Sequence, residues 1–361
     1  MIRLELISRL LLALMVFAVA ACSQPQEATN EAATDTEVQP VVFVLPDDPG
    51  DDDGYSPIKT YEPMNIPDDN PITLEGARLG RLLYYDNRLS GDGSRSCYHC
   101  HVVDKGLTDG LPQAIGAHNK QLTRSSPTMW NVGYLAELYW DGRANSLEKQ
   151  ARAAWTGGNM GAKNFDSVIA VINSIDAYRT QFQAVYSEDA NVTNIPKALA
   201  SYMRTIISID TPWDRWQRGD DSSAVSDGAK RGYSAFTKAQ CATCHSGVLL
   251  TDQQFHNVGI GMDAEKYDVG RFKVTKLDQN RGAFKTPTLR DIVKSAPYFH
   301  NGSVVTLVEA VKLMLAGGID NEFKDDALKP QDLSEQELAD LLEFLGTLSQ
   351  DSNLGQAPAL P

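Results

Sequence analysis

Apolar residues recur at helical spacing along most of the chain, and few stretches alternate as strands do. Leu74–Tyr85 places Leu79, Leu82 and Leu83 on one face, with Asp86 and Gly91 beyond it, and predicts a helix. Ser146–Trp155, Phe165–Ile175, Ile195–Ile209 and Asp227–Thr237 read the same way. The last helix is the clearest. Ser334-Glu335-Gln336-Glu337 forms a capping box, and Leu338, Leu341, Leu342, Leu345 and Leu348 follow at i, i+3, i+4 spacing. Val41–Leu45 is a candidate short strand. The balance predicts a mostly α fold.

The N-terminus departs from this pattern. Arg3 and Arg9 introduce the apolar run Leu10–Ala21, which reads as a secretory signal. The run is short for a membrane span, which needs about 20 apolar residues. Its end, Val19-Ala20-Ala21-Cys22, resembles a bacterial lipobox, where the leader is removed and the cysteine receives lipid. Cys22 is the predicted lipidation site. Ser23 follows it in place of Asp, and by resemblance to Gram-negative sorting rules this favours the outer membrane. The expectation is an exported protein, lipid-anchored there and facing the periplasm or the cell surface.

Charge separates the leader and tether from the body. The net charge is −14, of which residues 22–70 carry −11 through twelve Asp/Glu and one Lys, and residues 1–21 carry +1. That leaves −4 on residues 71–361. No basic stripe is present, so the phosphate-binding signature of a nucleic-acid partner is missing. Gln24–Pro40 reads as a flexible tether. Asp47-Asp48-Pro49-Gly50-Asp51-Asp52-Asp53-Gly54 lacks EF-hand spacing and reads as a solvated acidic linker.

The cysteines supply the chemistry. Apart from Cys22 there are four, in Cys97-Tyr98-His99-Cys100-His101 and Cys241-Ala242-Thr243-Cys244-His245. Two thiols one helical turn apart add to the two vinyl groups of a haem, and the adjacent His aims its imidazole at the iron. Zinc sites and thioredoxin-like sites use C-x-x-C pairs, but neither requires His directly after both pairs. The motifs predict two covalent c-type haems, held by Cys97 and Cys100 and by Cys241 and Cys244, with His101 and His245 as proximal ligands. Their separation puts one haem in each of two domains, which suits 361 residues. The expected organisation is a signal peptide at 1–21, a tether at 22–70, haem domains at 71–205 and 206–350, and a tail at 351–361.

Further motifs lie around the haem sites. They are Leu79-Gly80-Arg81, Arg88-Leu89-Ser90-Gly91, Thr108-Asp109-Gly110, Ser126-Pro127-Thr128, Trp140-Asp141-Gly142-Arg143 and Phe255-His256-Asn257. Lys285-Thr286-Pro287-Thr288-Leu289-Arg290 and Ala296-Pro297-Tyr298-Phe299-His300-Asn301-Gly302 complete the set. Together with the haem motifs, in this order from about residue 72 to 348, they resemble the bacterial di-haem cytochrome c peroxidase family, which includes MauG. The resemblance implies two cytochrome-c-like domains, a peroxidatic haem on His101 and an electron-transfer haem on His245.

Roles then follow position by position. The resemblance implies that His118 is a loop ligand capping the first haem at rest, and that Met314 is the distal ligand of the second, where MauG has Tyr. A Met/His pair would raise that haem's potential. Trp140 matches the Trp between the haems, and Gln150 matches a Gln lining the peroxide pocket. A calcium ion bridges the domains in many members; the matching positions are Ser125, Ser295 and the carbonyl of Pro297. One position departs from the pattern. Family peroxidases carry a proton-shuttling Glu before a Met, and here the segment reads Asn159-Met160, with no acid between Glu148 and Asp166. An amide hydrogen-bonds peroxide but is no acid or base near neutral pH. His99 is expected to be exposed and His256 to be a structural hydrogen-bonder.

The leading expectation is an enzyme that reduces hydrogen peroxide to water with electrons from a small c-type cytochrome or cupredoxin. The alternative is a MauG-like oxidase acting on Trp or Tyr residues of a partner protein. A third reading is a non-catalytic electron carrier or redox sensor. Dimerisation is common in the family, and membrane contact is expected only through lipid on Cys22.

Overall fold

The computed structural model describes residues 64, 66–351 and 354–361. The leader, Cys22, Val41–Leu45 and most of the acidic tether lie outside the described residues. Within them, no helix is long and apolar enough to cross a membrane.

Helices build two hydrophobic cores, as the apolar periodicity predicts. The first gathers α1 (Leu74–Tyr85), α2 (Leu147–Thr156), α3 (Phe165–Asn173), α4 (Asp176–Tyr186) and α5 (Asn194–Met203). Thr73 caps α1 by accepting the Gly76 N–H at 3.0 Å. The helix buries Leu79, Leu83 and Tyr84. Gly80 lets α1 touch α5, because a Cβ there would lie 1.9 Å from the Ala198 carbonyl oxygen. The second core uses α6 (Pro212–Arg218), α7 (Asp227–Lys238), α8 (Leu307–Leu315) and α9 (Glu335–Gly346). The α7–α9 contact repeats the same device: a Cβ on Gly232 would lie 2.0 Å from the Asp340 carbonyl oxygen. Ser334 caps α9 through the expected capping box. The strand content is one antiparallel ladder, β1 (Phe255–His256) against β2 (Phe284–Lys285), among the described residues.

Two helical readings need correction. The helix expected over 195–209 ends at Met203. Beyond it the Asn131 side chain bonds both backbone groups of Ser208, at 2.9 and 3.0 Å, and so draws this segment out of the helix. Ile206 and Ile207 are fully buried in that crossover. α4, α6 and α8 have no counterpart in the periodicity reading; α4 buries only Tyr178 and Phe182, α6 only Trp213 and α8 only Ala310, too few for an apolar stripe.

One segment of the fold occurs twice. Ser126–Trp155 and Thr286–Leu315 each run from a Ser/Thr-Pro-Thr start through a one-turn helix to a tight loop and then a helix. The loops close with matching bridges, Leu138 to Ala144 and Tyr298 to Val304. They share left-handed residues at matching positions, Tyr139 at φ 68° and Phe299 at φ 67°. The copies face each other between the two cores. Ser125 N–H donates to the His300 carbonyl at 2.8 Å, and the Trp130 indole N–H donates to Asp291 at 3.0 Å. The chain end then returns to the first core. Leu354 is 1% exposed there, and the buried Arg81 guanidinium donates to the Leu354 and Gln356 carbonyls at 3.1 and 2.6 Å.

Candidate active site

Two cavities carry the haem-attachment motifs. The first, about 1230 Å³, is lined by Cys97, Cys100 and His101 together with Trp140, Gln150 and Asn159. The second, about 250 Å³, is lined by Cys241, Cys244, His245, Met314 and again Trp140. Each motif folds as a single turn, Cys97–Cys100 and Cys241–Thr243, which brings its two thiols to one wall.

The donor sets fit c-type haem. His101 Nδ1 lies 2.9 Å from the Leu107 carbonyl, and His245 Nδ1 lies 3.1 Å from the Leu250 carbonyl. A carbonyl accepts only, so Nδ1 carries the proton and Nε2 keeps its lone pair for a metal. Both carbonyls belong to residues in the left-handed region, Leu107 at φ 60° and Leu250 at φ 52°, so local backbone turns aim them. Burial pushes both imidazoles toward the neutral form. The four cysteines form no disulfide. Burial raises Cys97 to about 12 and Cys100 and Cys241 to about 11.

Trp140 and His300 both border both cavities. The Trp140 indole N–H donates to the Ser125 carbonyl at 3.0 Å. His300 is 5% exposed and stacks on Phe284, with ring centroids 3.6 Å apart and planes at 13°. Burial pushes its imidazole down to about 4, so the ring is neutral. Sequence reasoning gave His300 no role. The signal was available, because His300 stands in the second copy of the repeated segment where Trp140 stands in the first.

The polar wall of the first cavity centres on Arg124. It pairs with Asp141 at 2.8 Å and with Asp268 at 2.6 Å. Burial works to raise the Asp268 carboxyl, but the bonds and charge of Arg124 outweigh it and hold the group below its ordinary range. Asp141 and Asp268 are the acids lining this cavity among the described residues. Glu148, the acid nearest before Asn159 in sequence, is tied instead to Arg204 at 2.8 Å and Asn70 at 2.7 Å. Gln150 and Asn159 therefore line the cavity as neutral amides.

His118 sits elsewhere. Its side chain is 64% exposed, 3.5 Å from Asp92, and its backbone N–H donates to the same carboxylate at 2.7 Å. It does not line the cavity that His101 opens onto, in contrast to the expected capping ligand. The Asp92 clamp and the left-handed backbone of His118, φ 56°, hold the ring outward over Gly161.

Of the positions matched to calcium, Ser125 donates its hydroxyl to the Phe299 carbonyl at 2.9 Å, and Ser295 donates to the Ile292 carbonyl at 3.2 Å. Pro297 follows Ala296 in the neighbouring loop, which carries Phe299. His256 is a hydrogen-bonder, as its context predicts, held between Asp325 and Asp252. It lies near Cys244 and Asp252 in a cluster of metal-ligand type, but the Cys244 sulfur belongs to the second attachment motif. His99 is exposed and its ring accepts the Ser96 N–H at 3.1 Å.

Comparison with known proteins agrees with this geometry. A family model described as di-haem cytochrome c peroxidase matches residues 74–222, and one described as cytochrome c matches residues 229–349. The cytochrome-c peroxidase IdrP1 of Denitromonas iodatirespirans is 36% identical over 340 residues, covering 85% of this chain and 90% of that protein. The methylamine utilization protein MauG of Methylorubrum extorquens is 37% identical over 305 residues, covering 83% and 85%. Among solved structures, a MauG-like protein associated with microbial copper homeostasis superimposes with a TM-score of 0.76 at 31% identity, covering 81% of this chain and 94% of that one.

Proposed function

The chain belongs to the di-haem cytochrome c peroxidase family, and from that premise we propose that it reduces hydrogen peroxide to water with electrons from a small c-type cytochrome or cupredoxin. The observation that carries the reading is Trp140, one aromatic ring bordering two cavities that each hold a C-x-x-C-H motif. When bound, the haems supply iron centres that exchange single electrons and, at an open position, take up peroxide.

The chain's own residues divide the remaining work. Turnover of H2O2 to two waters takes two electrons and two protons. His245 and Met314 present a nitrogen and a thioether to the second cavity, a pair suited to a high-potential electron-entry haem. Trp140 offers the ring through which electrons pass to the first cavity. There the Leu107 carbonyl fixes the His101 tautomer, so the imidazole enters as a neutral ligand. Gln150 and Asn159 orient peroxide by hydrogen bonds. Neither exchanges protons near neutral pH, and of the two acids in this wall Asp268 is held as an anion by Arg124 while Asp141 is tied up in its ion pair with the same guanidinium, so both protons come from water in the cavity mouth.

The test is steady-state peroxide turnover by the half-reduced di-haem protein with a reduced small cytochrome c. Saturable donor oxidation is expected. Peroxide oxidation of the haems without donor turnover would instead favour the MauG-like reading. That second reading has one specific observation behind it, the amide Asn159 where the family places its acid. Met314 in place of Tyr weighs against it.

Two finer elements belong to the same proposal. Calcium would take neutral oxygens from Ser125, Ser295 and the Pro297 carbonyl. What supports it is that these loops already meet through the Ser125–Phe299 bond. With no carboxylate in the set, the site belongs at the weak end of calcium affinities. Lipid on Cys22 would hold the protein at the outer membrane, and the support is the Val19-Ala20-Ala21-Cys22 sequence.

A further inference from the structure

Lys285 is a buried cation that the reading above does not use. The residue is 9% exposed and forms part of the wall of the second cavity. Its backbone is fixed twice. The N–H donates to the Trp140 carbonyl at 2.8 Å, and the residue pairs with Phe255 in the β1–β2 ladder. The side chain therefore projects from a rigid strand next to Trp140.

No acid answers its charge at close range. The ammonium forms no ion pair or hydrogen bond among the described residues. Asp252 attracts it from a distance, but that carboxylate is bonded to His256 at 2.9 Å and to the Gln254 N–H at 2.8 Å. Asp325, the acid lining the same cavity, is also taken by His256. The rest of the wall is largely apolar, with Phe236, Leu289, Ile292 and Leu345. The residue is largely buried, but its ammonium opens onto the cavity, where a bound anion can reach it. Burial does push Lys285 down, but only to about 8, so it still carries charge at neutral pH. A cavity that holds such a group is built for an anion.

We propose that the Lys285 ammonium pairs with a propionate carboxylate of the haem attached at Cys241 and Cys244, and so fixes the propionate edge of that haem beside Trp140. The inference rests on the di-haem reading. Haem brings two carboxylates into a cavity whose iron-ligand groups are His245 and Met314, and Lys285 supplies the matching donor there. A charge-assisted bond from a fixed strand is short and orienting. A cation held at the haem edge also favours the electron-rich ferrous state, which raises the potential of the haem that receives electrons first. Lys285 is thus a positioning residue, acting through the cofactor and not on peroxide.

The test is redox titration of the holoprotein without peroxide, following each haem by its own absorbance. In Lys285→Met the midpoint potential of the second haem falls while that of the first stays put. Lys285→Arg, which keeps the cation, holds the wild-type value. Resonance Raman of the wild type shows the propionate bending mode at its hydrogen-bonded position, and the mode shifts in Lys285→Met. An unchanged second-haem potential in Lys285→Met, or equal losses in the Met and Arg variants, overturns the proposal. If Lys285→Met does not retain its haem, the wild-type Raman position and the Arg titration decide it. Absence of haem on Cys241 and Cys244 overturns this inference and the peroxidase reading together. Loss of peroxide turnover with the potentials behaving as expected overturns only the latter.

Discussion

Trp140 and His300 hold the same position in the two copies of one loop, and each borders both cavities. The loops match in their closing bridges and in the left-handed residue before each ring, Tyr139 and Phe299. The rings differ in how they are held. Trp140 hangs from the Ser125 carbonyl by its indole N–H, whereas His300 lies flat on Phe284. The repeated loop thus brings two unlike aromatic rings to the boundary between the cavities. The indole is the more easily oxidised of the two, so the proposed electron route runs through Trp140 and leaves His300 to packing against Phe284.

Replacing Trp140 with Phe separates conduction from packing. The ring volume is largely kept, and losing the bond to Ser125 costs about 1 kcal/mol of stability. Electron passage should slow far more. The expected outcome is reoxidation of the reduced second haem by peroxide at least about tenfold slower, a barrier increase of roughly 1.4 kcal/mol. Stopped-flow absorbance measures this, and a wild-type rate in the variant would remove Trp140 from the route.

His300 gives the fold a pH dependence of known sign. Burial lowers its pKa to about 4, against about 6.5 for an unperturbed His. Between those values the unfolded chain binds a proton that the folded chain refuses, so stability rises with pH across this window. The neutral ring's advantage is intact above about pH 6.5 and is lost as the pH falls to about 4, a total of about 3 kcal/mol. Thermal unfolding from pH 7 to 4 should fall more steeply in the wild type than in His300→Gln. Parallel curves would show that other groups set the slope.

The strongly periodic helices and the haem motifs were legible in the sequence because both are local. α1 has the bounds that Leu79, Leu82 and Leu83 announce, and α9 starts at its capping box. Features set by distant partners were not legible. The helix after Asn194 stops where Asn131 captures Ser208, and no window around residue 204 contains that information. His118 was assigned by its distance from His101 along the chain, but the Asp92 clamp fixes its direction. Arg124 and Lys285 acquire their full meaning only when the two cores meet, since Asp268 reaches Arg124, and Trp140 reaches the Lys285 strand, from the other half of the chain.

Asn159 is the natural place to restore proton transfer. A carboxylate there would enter a cavity whose own acids are pinned by Arg124. General acid–base help contributes about 100-fold or more where it operates. Asn159→Glu should therefore raise kcat toward that factor, with a new acidic limb in the pH–rate profile. If kcat falls or stays level with both haems intact, peroxide cleavage does not wait on a proton at this position.

Cys22→Ala tests the anchor. Without the thiol no lipid can be attached, so the mature chain should move from the membrane fraction to the soluble fraction while keeping both haems and its peroxide chemistry. Labelled fatty acid should enter the wild type and not the variant. Incorporation into both would place the lipid, or the membrane contact, at another residue.

The chain end is a strap across the first core. Leu354 is almost fully buried beside α1, and Arg81, itself buried, spends its guanidinium on the Leu354 and Gln356 carbonyls. Arg88, further along, donates to the Pro361 carbonyl at 2.9 Å. α1 also carries Tyr84, whose hydroxyl donates to the His101 carbonyl at 3.0 Å, so the strap bears on the helix that braces the first haem motif. Truncating Leu354 to Ala should cost about 2–5 kcal/mol as a buried Leu. Removing residues 354–361 should cost more, since it also takes away the two carbonyls that accept from the buried Arg81 guanidinium. Chemical denaturation followed separately by the two haem bands should show the first-haem domain unfolding earlier in both variants. Equal shifts at both haems would mean that the two cores unfold as one unit, and no change at either would mean that the strap carries no load.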